Sequence, residues 1–409
     1  MRINNAGHYE YCRWASKSER NLAPHINDVS PQVYFQQQMM PIRKQLFNGE
    51  QPAGCVECGA MENHGKVSGR QKQLLKAGVR LEQFEKTMAS SPWLQTFAQD
   101  SCAQMPQDWQ IDLGNFCNSA CVFCHPHSSS RLATEYKKLN LIQQMPPANW
   151  SDDPDLVDQF VQSLLASPHI QYLHFIGGET LITPAFRTIL QALINAGLHH
   201  TATIGFTTNL TVWNQEIVDL LCNFHSVQLG LSIESMHSIN DYVRWPSELP
   251  MVLTNLNRWQ TVANQKSWLL QLRTTPTLLT VGTLLSIYDY AWDHQICVES
   301  CNFLAEPAHL RPSVLPMSYR QPIIDAMQSW LDKHHVSGHT VLNIRNPNTT
   351  QLQNYQDLQS YVNYLRLMSD ESHRLPELVS WIKRLEANRG NSVLTHLPEY
   401  EELFRSAGY

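Results

Sequence analysis

The sequence predicts an α/β fold. Three observations carry that prediction. From Trp109 onward, short apolar runs alternate with helical patterns. Glycines and polar residues gather where each apolar run ends, as in Gly177-Gly178-Glu179. Beyond about Leu315 only helical patterns remain. Strand alternating with helix implies a parallel sheet with right-handed crossovers.

In chain order, Tyr9-Glu10-Tyr11-Cys12 reads as a short strand ending at a cysteine. Val33 to Phe47 has helical spacing, and the stretch Asn48 to Pro52 stops it. Next comes a C-x2-C knuckle, Cys55 to Cys58, whose flanking Gly54 and Gly59 let backbone fold close to sulfur. A helix is expected from Gly69 to about Ala77. Strands are expected at 109–115, 172–176, 203–209, 227–233, 269–275 and 302–305. Helices are expected between them at 155–166, 183–196, 213–222, 236–261 and 282–294. That makes six β/α units, two strands short of a closed eight-unit barrel. Four further helices are expected at 319–335, 351–368, 374–388 and 397–406. The expected organisation is 1–105 as an N-terminal cysteine segment, 106–314 as the β/α region and 315–409 as a helical C-terminal region, placed to cover the open side of the β/α region or to hold substrate.

Composition narrows the class. A chain of 409 residues with 43% hydrophobic and 16% charged content is ordinary for a globular protein. A net charge of −6 gives no overall footprint for nucleic acid. No apolar run is long enough to span a membrane, and Met1 to His8 lacks a signal core. A cytoplasmic location is therefore expected. Ten cysteines in such a chain argue for metal or redox chemistry rather than a disulfide framework.

The central feature is Cys117-Asn-Ser-Ala-Cys121-Val-Phe-Cys124, directly after the first β/α strand. Its three thiolates can converge on one inorganic centre, and thiolates select soft metals and iron–sulfur clusters. A closed structural zinc site wants four protein ligands. Zinc here would therefore need a recruit such as His125 or His127, whereas a cubane held by three cysteines keeps one iron open. In parallel α/β folds, ligands gather at the carboxyl ends of strands. Gly177, Gly178 and Glu179 lie at such an end, with Glu179 an acceptor for an ammonium group. Asn209 and Ser232 end the next two strands, where plain strand-end capping is the alternative role.

The C-x3-C-x2-C spacing, with Phe123 directly before the last cysteine, resembles the radical S-adenosylmethionine (radical SAM) enzymes. The resemblance implies a partial (β/α)6 barrel open on one side. It implies a [4Fe–4S] cluster on Cys117, Cys121 and Cys124 whose open iron binds the amino and carboxylate groups of S-adenosylmethionine. Gly177, Gly178 and Glu179 match the motif that contacts the cofactor's amino group. Ser232 sits in a stretch like the family's S-I-D-G, with Glu234 replacing Asp and Ser235 replacing Gly. Asp241-Tyr-Val-Arg244 resembles an E-Y-I-R segment whose arginine pairs with the cofactor carboxylate. The implied chemistry is one-electron cleavage of the sulfonium to a 5′-deoxyadenosyl radical that takes hydrogen from substrate. An electron donor such as flavodoxin or ferredoxin is implied as a partner.

Residues 42–71 carry a second resemblance, to the auxiliary segment of twitch-domain radical SAM proteins, whose cysteines hold a second iron–sulfur cluster. Cys12, Cys55 and Cys58 are the matching ligands here. The chain departs from the commoner pattern, which has an extra cysteine on an earlier strand. Cys102 is the first candidate for the missing ligand, with His8, His25, His64 or substrate as others. A structural zinc knuckle needs the same ligands. A second cluster would make the reaction oxidative, as in crosslinking of a peptide. A thiol returning hydrogen would make it an epimerisation, with Cys301 the candidate catalytic residue and Cys297 beside it. The expected substrate is a peptide or a small polar molecule. The rival reading is a zinc-containing α/β-barrel binding protein.

Overall fold

The computed structural model describes residues 1–12, 23–48, 50–63, 68, 71, 106–167, 170–300, 303–336 and 350–409. Cys102, Cys301, His64 and nearly all of the helix expected over 69–77 lie outside the described residues. Among the described residues the fold is α/β, with one mostly parallel sheet followed by helices. The strands are β1 (Arg2–Ile3), β2 (Tyr9–Glu10), β3 (Asp108–Asp112), β4 (Tyr172–Ile176), β5 (Thr203–Thr208), β6 (Ser226–Ser232), β7 (Leu269–Arg273) and β8 (Cys297–Glu299). Their order in the sheet is β2-β1-β3-β4-β5-β6-β7-β8. Only β2 is antiparallel to its neighbour in the registers resolved.

Period-two alternation explains the strands. In β3, Trp109 and Ile111 are buried while Gln110 and Asp112 are half-buried. In β4, Leu173 and Phe175 are buried between half-buried Tyr172, His174 and Ile176. In these two strands one face is thus apolar core and the other is half-buried and more polar.

The chain divides into two compact units. The first comprises Met1–Asn115, Pro147–Gly205 and Gln215–Val227; the second comprises Phe116–Pro146, Phe206–Asn214 and Gln228–Tyr409. In the first unit, β1 runs parallel to β3, with Ile3 opposite Ile111. The sequence reading missed this strand because two residues carry no period. Arg2 bonds Glu10 at 2.5 Å and reaches Asp112 at 3.5 Å.

The sixth β/α strand is a correction. It lies at Cys297–Glu299 rather than 302–305, and the described residues 303–305 are irregular. Pairing with β7 fixes it, Val298 standing opposite Leu272. Helix 236–261 is also corrected: it is two helices, Ile239–Val243 and Leu249–Lys266. Pro246 lacks an N–H and disfavours helical backbone at Trp245, and Pro250 restarts the helix at its first turn. The pattern over Val33–Phe47 resolves into a π-helical turn, Tyr34–Gln38, and a helix, Met40–Phe47.

The C-terminal region is helical as expected, with α1 (Met317–Lys333), α2 (Thr350–Leu367), α3 (Leu375–Arg389) and α4 (Glu401–Ser406). Helix α2 docks its polar side chains on the backbone of β8. Asn354 accepts from Val298 N at 2.8 Å and donates to Ile296 O at 2.9 Å. Asp357 accepts from Ser300 N at 2.9 Å, Ser300 Oγ at 2.7 Å and Tyr288 Oη at 2.6 Å. Among the described residues, no helix is long and apolar enough to cross a membrane.

Candidate metal and cofactor site

In the first unit, β3 and β4 end side by side. Gly178 N donates to Gly114 O at 2.8 Å. Gly177 has φ +146°, and a Cβ there would stand 2.8 Å from Gly114 O. Only glycine allows that approach. Glu179 is fully buried, and its Oε1 accepts from Leu181 N at 3.1 Å, capping the turn Thr180–Ile182. Asp112, at the end of β3, accepts from Gly114 N at 3.2 Å. Burial is the main cause of its raised pKa, about 6, which the Arg2 charge opposes.

In the second unit, the cysteine loop is tied down from several sides. Ser130 Oγ accepts from Cys117 N at 3.2 Å, and Ser129 Oγ donates to Ser119 O at 2.6 Å. Asn209 is 8% exposed and binds the loop directly, donating to Asn118 Oδ1 at 2.8 Å and Ser119 Oγ at 3.1 Å. It is a loop brace as well as a strand-end residue. Two backbone bonds pair the loop with the end of helix Ile239–Val243 and the turn that follows: Ala120 N to Trp245 O at 2.7 Å, and Val122 N to Val243 O at 2.8 Å. They flank Cys121 and Arg244, which therefore face each other.

Arg244 is 7% exposed. Its Nη2 donates to Glu234 Oε1 at 2.6 Å and its Nη1 to Cys121 Sγ at 3.9 Å. The guanidinium lies 5.3 Å from the Phe123 ring centre. Its Nε is buried with no hydrogen-bond partner. Glu234 is fixed in turn, its Oε2 accepting from Thr274 Oγ1 at 2.8 Å and Thr275 N at 2.7 Å. Burial works against the Arg244 charge, but Glu234 and the thiols more than offset it, and the pKa is raised. Sequence reasoning missed that Glu234 is the partner of Arg244. The signal was the acidic residue at the Asp position of the S-I-D-G-like stretch. Ser232, at the end of β6, is half-buried opposite Arg273 of β7.

Helix α3 also reaches the loop. Arg389 donates through Nη2 to Ala120 O at 2.7 Å and Glu135 Oε2 at 2.6 Å, with Nε on Glu135 Oε1 at 2.9 Å. The guanidiniums of Arg389 and Arg131 lie 5.0 Å and 4.7 Å from the Trp245 ring centre.

Burial disfavours free thiolate at Cys121 and Cys124. Burial raises the pKa of Cys121 most, against the nearby Arg244 charge. Burial and then the neighbouring Cys121 and Cys117 charges raise that of Cys124. Bound metal reverses this, because it ionises a coordinating thiol outright. Among the described residues, no three His, Cys, Asp or Glu side chains gather as one metal ion requires. A four-iron cluster makes no such demand, since each cysteine takes a different iron. The loop fits such a cluster: three coupled thiols from one segment, with a guanidinium against the middle one.

The other cysteines lie on separate elements. Cys12 is half-buried just beyond β2, near enough to the Met1 amino group to act on its charge. Cys55 ends the turn Ala53–Cys55, and Cys58 is buried in helix Val56–Asn63. His8 and His25 pack against each other, ring centres 5.2 Å apart. His8 Nδ1 bonds Ala23 O, and His25 Nδ1 accepts from Asn27 N. Cys297 lies on β8, its thiol donating to Gln353 Oε1 at 2.9 Å, and burial raises its pKa.

Residues 111–263 match the family model described as the Radical SAM superfamily. Among the curated proteins there is no match. Solved structures are matched at low identity. Streptococcus suis SuiB is 10% identical with a TM-score of 0.37, covering 71% of this chain and 62% of that one. The anSMEcpe structure with bound AdoMet is 16% identical with a TM-score of 0.40, covering 56% of this chain and 61% of that one. The chain thus spans about six tenths of the length of these matched structures.

Proposed function

We propose, from the match of residues 111–263 to the Radical SAM superfamily model, that this chain is a radical SAM enzyme acting on a peptide or a small polar substrate. The observation that carries the reading is the Cys117–Cys124 loop, with Cys121 held opposite Arg244. Cys117, Cys121 and Cys124 would hold a [4Fe–4S] cluster. When bound, the cluster and S-adenosylmethionine together supply a 5′-deoxyadenosyl radical that abstracts hydrogen from substrate.

The chain's own residues bind and orient. Glycine at 177 and 178 lets backbone approach a ligand where β3 and β4 end. Glu179 supplies negative charge for an amino group. Ser232 donates to a ribose or carboxylate oxygen. The unpartnered Nε of Arg244 is one N–H for a carboxylate, while Nη2 bonds Glu234 and Nη1 bonds Cys121. Asn209 holds the loop from Asn118 to Ser119.

The finer assignments belong to the same proposal. Cys12, Cys55 and Cys58, with Cys102, would hold an auxiliary iron–sulfur cluster, and Cys301 would be the hydrogen-returning thiol if the reaction is an epimerisation. Residues 1–105, 106–314 and 315–409 would form the auxiliary segment, the catalytic barrel and a helical cover. Flavodoxin or ferredoxin would deliver electrons in the cytoplasm.

The test is anaerobic reconstitution. Absorbance near about 400 nm bleached by dithionite, and 5′-deoxyadenosine formed from S-adenosylmethionine, are expected. Colourless protein with stoichiometric zinc would replace this reading with a zinc-binding barrel protein.

A further inference from the structure

We infer that Arg244 is a positioning residue for Cys121, clamped by Glu234, and that this buried pair sets the reduction potential of the loop's cluster. The inference rests on the radical SAM reading and deepens it. Three features point to it. Backbone pairing on both sides, Ala120 with Trp245 and Val122 with Val243, leaves Cys121 and Arg244 no freedom to part. The guanidinium donates to the thiol sulfur at 3.9 Å, so its charge falls on a cluster ligand. Glu234 holds the opposite end at 2.6 Å and is itself held by Thr274 and Thr275.

Hydrogen bonds and net charge at the ligating sulfurs set the potential of such a cluster. Reduction adds an electron to the cluster. A cation bonded to Cys121 stabilises that extra negative charge and raises the potential. Glu234 opposes it, being an anion one residue further out. The two side chains therefore pull in opposite directions, although both are parts of one clamp.

That opposition supplies the test. Wild type, Arg244→Met, Arg244→Lys and Glu234→Gln are reconstituted anaerobically. The cluster's potential is then measured by redox titration followed by electron paramagnetic resonance, without S-adenosylmethionine. Arg244→Met is expected to lower the reduced-to-oxidised ratio at fixed potential on the order of tenfold, about 59 mV for one electron. Arg244→Lys keeps the charge and should recover most of that loss. Glu234→Gln keeps an acceptor for Arg244 but removes the negative charge, and should shift the ratio upward. A purely structural clamp would give no opposed shifts. Equal potentials in all four proteins would overturn the inference, and so would a downward shift in Glu234→Gln. Wild type that takes up no cluster would instead overturn the radical SAM reading beneath it.

Discussion

Arg389 and Glu135 form a buried bidentate pair, Nη2 and Nε on the two carboxylate oxygens at 2.6 Å and 2.9 Å, although 254 residues separate them in sequence. Their side chains are 1% and 4% exposed. Removing one partner strands the other charge, which costs about 3–5 kcal/mol. Arg389→Ala should therefore unfold at markedly lower urea than wild type. It also frees the Ala120 carbonyl in the cysteine loop, and iron retained after reconstitution and desalting should fall. The double variant Arg389→Met with Glu135→Leu should recover much of the stability but not the brace on Ala120.

Iron stoichiometry separates the two cysteine groups. With both clusters present, about eight irons per chain are expected. Cys121→Ala should abolish loading at the loop, and Cys55→Ala with Cys58→Ala should lower the total to about four. Metal analysis of each purified variant checks this. An unchanged total in the Cys55/Cys58 variant would remove the auxiliary cluster from the account.

Asp112 gives a pH signature of known sign. Its folded pKa is raised from 3.8 to about 6, chiefly by burial. The folded state therefore holds a proton that the unfolded state releases earlier. Stability from this group is full below about pH 4, falls as pH climbs towards 6, and stays lost above that. Two units correspond to about 3 kcal/mol as an upper bound. Asp112→Asn removes the titration. Its stability relative to wild type should rise between pH 4 and pH 7, measured by urea unfolding at each pH.

Gly177→Ala should be strongly destabilising. The added Cβ meets Gly114 O at 2.8 Å and the backbone is at φ +146°, so no rotamer relieves it. A loss of at least about 2 kcal/mol is expected. Gly197→Ala is the control: it also has positive φ, but the Cβ would meet nothing within 4 Å. Thermal unfolding should place Gly177→Ala well below Gly197→Ala, because it adds both the close approach and the costlier backbone angle.

Much of the α/β region was legible in the sequence because its signals are local. Period two marked the strands, including Tyr172–Ile176 to the residue, and prolines and glycines marked their ends. The cysteine loop and Gly177-Gly178-Glu179 were legible because spacing within a short segment carries them. What lay beyond reach depends on distance. Arg389 has no motif around it, and its contact with Ala120 arises only when helix α3 packs. The pairing of Arg244 with Glu234 spans ten residues, yet it needs the turn after β6 to bring the two together. The strand at Cys297–Glu299 was misplaced because its register comes from β7 and from Asn354 rather than from its own three residues.

The grip of helix α2 on β8 has a consequence for the border of the sheet. The last strand of a sheet is a ready template for a foreign strand, and chains guard such edges against aggregation. Here Asn354 and Asp357 already occupy the amides of Val298 and Ser300, so the helix behaves as a sealed hem along that border. Deprived of it, the edge would invite a second copy of the chain to add itself strand to strand. Helix α2 thus covers the amides that this border would otherwise present to a foreign strand.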